Sequence, residues 1–218
     1  MESRQDPDKD SIHKVPEDQE LQSPATSLDP SSVDRDSESS VVFHRDDDLQ
    51  YMRTCLALAH EASQRDEVPV GAIVVHEDPE TKVREIIGVG FNLRETTHDP
   101  TGHAEIVAMR RAAQRLGQWR LNECTLYVTL EPCPMCAGAI VNARIRRVVY
   151  GCDDPKGGAG RSLYAIMTDE RLNHRVELVT GILAKESAQV LKAFFARRRA
   201  EKRAEKRAAK RTRHEAQK

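Results

Sequence analysis

The middle of this chain alternates between apolar runs of strand character and segments of helical spacing, and that alternation narrows its fold more than any other feature. Val70-Gly-Ala-Ile-Val-Val75 is a continuous, largely β-branched run and reads as a buried strand. The polar stretch His76–Lys82, containing Pro79, reads as a hairpin loop, and Val83–Phe91 as the returning strand. Helical patterns over His103–Leu116 and Pro134–Ala143 then separate three further strand candidates: Cys124–Leu130, which alternates, Arg147–Tyr150 and Val176–Thr180. Gly117 ends the first of these helices, and Pro134 opens the second at a first-turn position. A surface helix over Leu49–Arg65 precedes the hairpin, and Asn92–Gly102 follows it as a polar loop. A Gly-rich loop over Gly151–Ser162 leads to a short helix at Leu163–Thr168, and a long helix runs from Ile182. Strands separated by helices after an initial hairpin imply an α/β domain with a mixed sheet and helices on both faces.

Charge divides the chain into three parts. Lys+Arg number 34 against 35 Asp+Glu, a net of −1. That value is a cancellation: residues 1–48 hold 14 acidic and 5 basic side chains, and residues 192–218 hold 12 basic and 3 acidic. The first stretch is also rich in Ser and Pro and poor in aromatics, so it buries too little apolar surface to offset its ordering entropy. We therefore expect a disordered acidic N-terminal extension over 1–47, a folded domain over 48–196 and a basic helical tail over 197–218, suited to nucleic acid. No apolar run reaches the length of a membrane span, and no basic segment followed by an apolar one marks a secretory signal. The expected location is cytoplasmic, without a membrane partner. Five cysteines, an odd count, argue against a disulfide framework. Cys55, Cys124 and Cys152 lie singly in apolar segments and read as small buried hydrophobes.

The remaining two cysteines carry the chemistry. Cys133 stands beside the N-cap of a Pro-initiated helix and Cys136 three residues on, in Pro132-Cys-Pro-Met-Cys136. Residues three apart share a helix face, so both sulfurs reach one point beyond the helix start, where the dipole favours thiolates. A lone C-x-x-C is ambiguous between redox chemistry, half of a structural zinc site and coincidence. A closed four-cysteine site needs a second pair that this chain lacks, and redox chemistry leaves His103-Ala-Glu105 unexplained. Two thiolates and the His103 imidazole make three protein ligands and leave a fourth position for water, the catalytic pattern for zinc. Glu105, a carboxylate outside the ligand set, is then the proton carrier. This requires His103 and Glu105, two apart at a helix start, to lean into one cleft. The pattern H-x-E…P-C-x-x-C is the signature of zinc nucleobase deaminases.

Further segments extend the match: Glu67-Val-Pro-Val-Gly-Ala72, His98-Asp-Pro-Thr101, Leu126-Tyr-Val-Thr-Leu-Glu-Pro-Cys133, Met135-Cys-Ala-Gly138, Asn173-His-Arg-Val-Glu177 and Gly181-Ile-Leu-Ala184. Over residues 48–200 the chain resembles the bacterial tRNA-specific adenosine deaminases of the cytidine/deoxycytidylate deaminase-like superfamily. The resemblance implies a three-layer α/β/α cytidine-deaminase-like fold around a central five-stranded mixed sheet. It implies one Zn2+ per subunit on His103, Cys133 and Cys136, with Glu105 as proton shuttle. By the same resemblance Asn92 touches the nucleoside, and Asp154 lies near the anticodon nucleotides. The implied reaction converts adenosine to inosine at the wobble position of an arginine tRNA, on the anticodon stem-loop, by a homodimer whose pocket lies near the subunit interface. The loop Asp154-Pro-Lys-Gly-Gly-Ala-Gly-Arg161 departs from the family's usual Lys-Thr-Gly-Ala, and the N-terminal extension has no family counterpart. Two other readings are a deaminase of free bases or nucleotides, such as guanine or deoxycytidylate, and a non-catalytic zinc-dependent RNA-binding module. His98 and His174 read as surface or structural groups, since the site already has three ligands.

Overall fold

The computed structural model describes residues 40–215. Helix α1 (Ser40–Gln64) begins before the expected Leu49 and takes in the end of the segment read as disordered. The cause is partners that are remote in sequence. Asp47 accepts a hydrogen bond from Arg84 at 2.6 Å, and buried Asp48 accepts two from Arg147 and one from the Tyr127 hydroxyl, each at 2.8 Å. Asp47, expected in the extension, is therefore bound to the domain, and Asp48 stands in it as expected. The rest of the proposed disordered extension, residues 1–39, lies outside the described residues.

Strands β1 (Gly71–Glu77), β2 (Arg84–Phe91), β3 (Cys124–Leu130), β4 (Arg147–Cys152) and β5 (Glu177–Thr180) form one sheet in the order β2-β1-β3-β4-β5. β1 runs antiparallel to β2 and β3, while β3, β4 and β5 run parallel. The sheet is thus five-stranded and mixed. Alternate side chains enter two separate cores, as the period of two requires. Val74, Leu126, Val128, Val148 and Tyr150 meet helices α3 (Ala104–Leu116) and α4 (Pro134–Asn142) on one face. Ile73, Val75, Tyr127 and Val149 meet Met52 and Cys55 of α1 on the other, with Ile182 and Leu183 leading into α5 (Ala184–Glu215). The three layers are α/β/α. β3 lies between β1 and β4 under both helical layers, so it is buried along nearly its whole length rather than alternating.

One packing feature places the site. Gly88 and Gly90 of β2 face Ala104, Ala108 and Ala112, a small-residue stripe on α3. A Cβ at Gly90 would collide with the Ala104 carbonyl oxygen, and one at Gly88 with that of Ala108. α3 therefore lies unusually close to the sheet, with its first turn held against the end of β2.

Connections differ from expectation in detail. The Asn92–Gly102 loop contains a single helical turn, α2 (Arg94–Thr97), whose Thr96 N–H donates to buried Glu67 at 2.6 Å. The helix expected at Leu163–Thr168 is only a 3-10 turn, Ile166–Thr168, leaving Leu163 and Tyr164 exposed. α5 continues without a break through residue 197 into the basic tail. Cys55, Cys124 and Cys152 are buried singly, and burial pushes the Cys124 thiol up to about 12 and that of Cys152 to about 11.

Candidate metal and active site

Two helix starts bring the predicted ligands together. His103 is the N-cap residue of α3 and Cys133 that of α4, both with extended backbone. Neither side chain caps its own helix, which leaves both free to meet across the gap. Cys136 follows in the first turn of α4. His103 Nδ1 lies 3.6 Å from Cys133 Sγ and 3.5 Å from Cys136 Sγ. The three donor atoms all lie within 4.8 Å of one another.

The electrostatics of the cluster follow from this contact. The Cys133 thiol is pushed down to about 4, chiefly by the Cys136 thiol beside it and further by His103. Cys136 is correspondingly pushed up, as the thiol facing that thiolate, and the His103 imidazole is raised by its bond with Cys133. A ready thiolate, an imidazole nitrogen and a second thiol around one point make a soft N/S donor set of the kind that holds zinc. Three such ligands leave one coordination position for water.

Glu105 meets the requirement set by its spacing. It is 4% exposed, in the first turn of α3, and faces the same cluster: both His103 and Cys136 act on its carboxyl. Burial pushes that carboxyl above the ordinary range, the direction in which a carboxylic acid becomes useful for proton transfer near neutral pH. Asn92, also buried, accepts the Ala104 N–H at 3.2 Å through Oδ1 and so ties the end of β2 to the first turn of α3. Asp154 lies in the loop after β4. Its carboxylate accepts the Lys156 N–H at 3.0 Å, and its own N–H donates to Glu131 at 2.8 Å. His98 is exposed, and His174 Nε2 lies 2.7 Å from the Ile145 carbonyl oxygen, away from the cluster.

Glu131 is the residue that sequence reasoning missed. It stands two positions before Cys133 and is 2% exposed. Burial alone would raise its carboxyl, but the Ser162 hydroxyl and the loop N–H groups of Arg161, Asp154 and Ser162 hold it below the ordinary range. A lone acid between an apolar strand and the first cysteine was the available signal.

Comparison with known proteins agrees with this geometry. The family model of the MafB19-like deaminases matches residues 46–199. The tRNA-specific adenosine deaminase of Haemophilus influenzae is 47% identical over 154 residues, covering 71% of this chain and 86% of the relative. That of Bacillus subtilis is 45% identical over 148 residues, covering 68% and 88%. A solved tRNA:A34 deaminase, studied for A-to-I editing at the wobble position, superposes with a TM-score of 0.60 at 42% identity over 65% of this chain and 99% of its own. Guanine deaminase from Nitrosomonas europaea, 23% identical with a TM-score of 0.58 over 68% of this chain and 84% of its own, shares the fold. The chain belongs to the MafB19-like deaminases, among the tRNA-specific adenosine deaminases.

Proposed function

We infer that this protein hydrolytically deaminates adenosine to inosine at wobble position 34 of tRNA, acting on the anticodon stem-loop. The observation that carries the reading is a buried carboxyl, Glu105, facing a His–Cys–Cys cluster in a chain 47% identical to a tRNA-specific adenosine deaminase. His103, Cys133 and Cys136 would hold one zinc ion per subunit. Bound there, zinc supplies Lewis-acid activation of water near neutral pH. As water oxygen bonds to C6 of adenine, Glu105 would take one of its protons and deliver it to the exocyclic nitrogen; the C6–N bond breaks and ammonia leaves, while the oxygen stays as the inosine carbonyl and the second water proton ends on N1. The burial of Glu105 keeps the proton from exchanging with bulk solvent between the two steps. Asn92, fixed to the first turn of α3, contributes to the nucleoside pocket, and Asp154 to the loop that meets the anticodon. The target base leaves its stack to enter the pocket, because its reactive carbon is otherwise covered.

The tail supports an RNA substrate. Arg199, Lys202, Arg203, Lys206 and Arg207 recur at three- and four-residue spacing on α5 and form one exposed stripe, with Glu201 and Glu205 outside it. A free-base deaminase has no use for a polycationic arm of this kind. We also propose a homodimer working in the cytoplasm. No helix among the described residues is long and apolar enough to cross a membrane.

Mass analysis of an anticodon stem-loop after incubation with pure protein tests the reading. Inosine at the wobble position is expected. Faster turnover of guanine or deoxycytidylate than of the stem-loop would replace it with the free-base reading.

A further inference from the structure

Glu131, the residue just after β3, carries more hydrogen bonds than the end of that strand needs. Its carboxylate accepts the N–H of Asp154 at 2.8 Å, Gly160 at 3.0 Å, Arg161 at 2.7 Å and Ser162 at 2.9 Å, together with the Ser162 hydroxyl. All five donors belong to the loop over residues 153–162. The main chain repeats the attachment: the Glu131 N–H donates to Cys152 O at 2.9 Å, and the Ala159 N–H to Pro132 O at 2.8 Å. Gly158 completes the wrap, since a Cβ there would collide with the Glu131 carboxylate. Three consecutive N–H groups, from Gly160 to Ser162, thus converge on a built-in anion, in a loop arrangement that otherwise attracts an external one such as phosphate. With its inner face already filled, the loop meets a substrate only on its outer face. That face presents Lys156 and Arg161, the latter paired with Asp153 at 3.0 Å, and leads to Leu163 and Tyr164, which are 54% and 56% exposed. The same short segment, Glu131-Pro-Cys133, delivers a cluster cysteine at its other end.

We propose that Glu131 is a positioning residue that sets the 153–162 loop in the shape that receives the RNA strand, fixing affinity for the structured substrate rather than the rate of the chemical step. The proposal rests on the tRNA-deaminase reading above. Glu131 is not one of the clustered donors, and its carboxylate bonds run to the loop, through which it acts. Charge-assisted bonds to buried N–H groups are the strong class, and their loss leaves several donors facing one another.

Glu131→Gln and Gly158→Ala test this in the zinc-loaded full chain. The first places an amide donor against loop donors. The second keeps the carboxylate but displaces the loop from it. Both should raise KM for the anticodon stem-loop by about tenfold or more, with kcat within about threefold and one zinc retained per chain. Glu131→Asp, which keeps the charge, should show a smaller rise in KM. Amide hydrogen exchange at residues 160–162 should accelerate by about tenfold or more in Glu131→Gln. An unchanged KM in both variants, a fall in kcat at constant KM, or loss of zinc would overturn the proposal. If the wild-type chain leaves the stem-loop unmodified, the tRNA reading fails. Exchange at 160–162 then still decides whether Glu131 holds the loop, and unchanged exchange overturns that too.

Discussion

Replacing Asp48 with alanine removes the anion around which Arg147 is built. Two Arg147 nitrogens donate to its carboxylate at 2.8 Å each, and the Tyr127 hydroxyl donates at the same distance. The Asp48 and Arg147 side chains are only 5% and 13% exposed. Glu177 remains as a second partner for Arg147 at 3.0 Å, but at 63% exposed it is screened by water and compensates little. Breaking a buried ion pair from one side costs about 3–5 kcal/mol, and the retained Glu177 puts this case near about 3 kcal/mol. For a chain of this size each kcal/mol moves Tm by about 2–4 °C, so a fall of about 6–12 °C is expected in thermal denaturation of the zinc-loaded protein. Adding Arg147→Met should recover a good part of the loss, because the stranded charge goes with it. Turnover at 25 °C should hold, since the network lies on the sheet face that carries α1, away from the ligand cluster. A fall under about 2 °C would refute the reasoning.

Glu105→Ala should cut ammonia release by about 10²–10⁴-fold or more while metal analysis still finds zinc; retained turnover would remove Glu105 from the mechanism. Alanine at Lys202, Lys206 and Arg207 should flatten the log–log salt dependence of RNA binding by about 0.7–0.9 for each phosphate no longer neutralised, and an unchanged slope would make the stripe a solvated face. Gly90→Ala forces α3 off the sheet, so it should cost about 1–3 kcal/mol or more and weaken zinc binding together; normal Tm and zinc content would contradict the close approach. Glu77 supplies a pH test. Its partial burial alone would raise the carboxyl, but Arg84 holds it below its ordinary value near 4.5. Its stabilisation is therefore full above that value and is lost as pH falls through the lower folded one. Glu77→Gln should make the acid side of a Tm-versus-pH curve shallower, and superimposable curves would count against the pairing.

Cys133 and Cys136 were legible as a pair because a Pro-initiated helix and a spacing of three are local facts. The strands were legible because apolar β-branched runs between turn residues are local as well. β3 was misread as alternating, since its burial on both faces depends on neighbours and helices supplied from elsewhere in the chain. Asp47 falls at the end of the expected acidic extension for a related reason: charge counting does not see Arg84. The family resemblance brought in Asn92 and Asp154. The structure adds that Asn92 holds the first turn of α3 and that Asp154 is bonded to Glu131.

The sequence by itself determined the α/β class, through apolar strand runs that alternate with helical spacings, and the donor types and the carboxylate beside them, because Cys133 and Cys136, like His103 and Glu105, stand no more than three residues apart. Only the tertiary structure decided that His103 meets a cysteine pair thirty residues on, across a gap set by two glycines on β2. It alone decided that Glu105 is buried facing that cluster, and that Glu131 gathers a loop around itself. Distances between remote segments follow from how closely helices and strands pack, and that closeness comes from side-chain volume across the whole domain rather than from any local pattern.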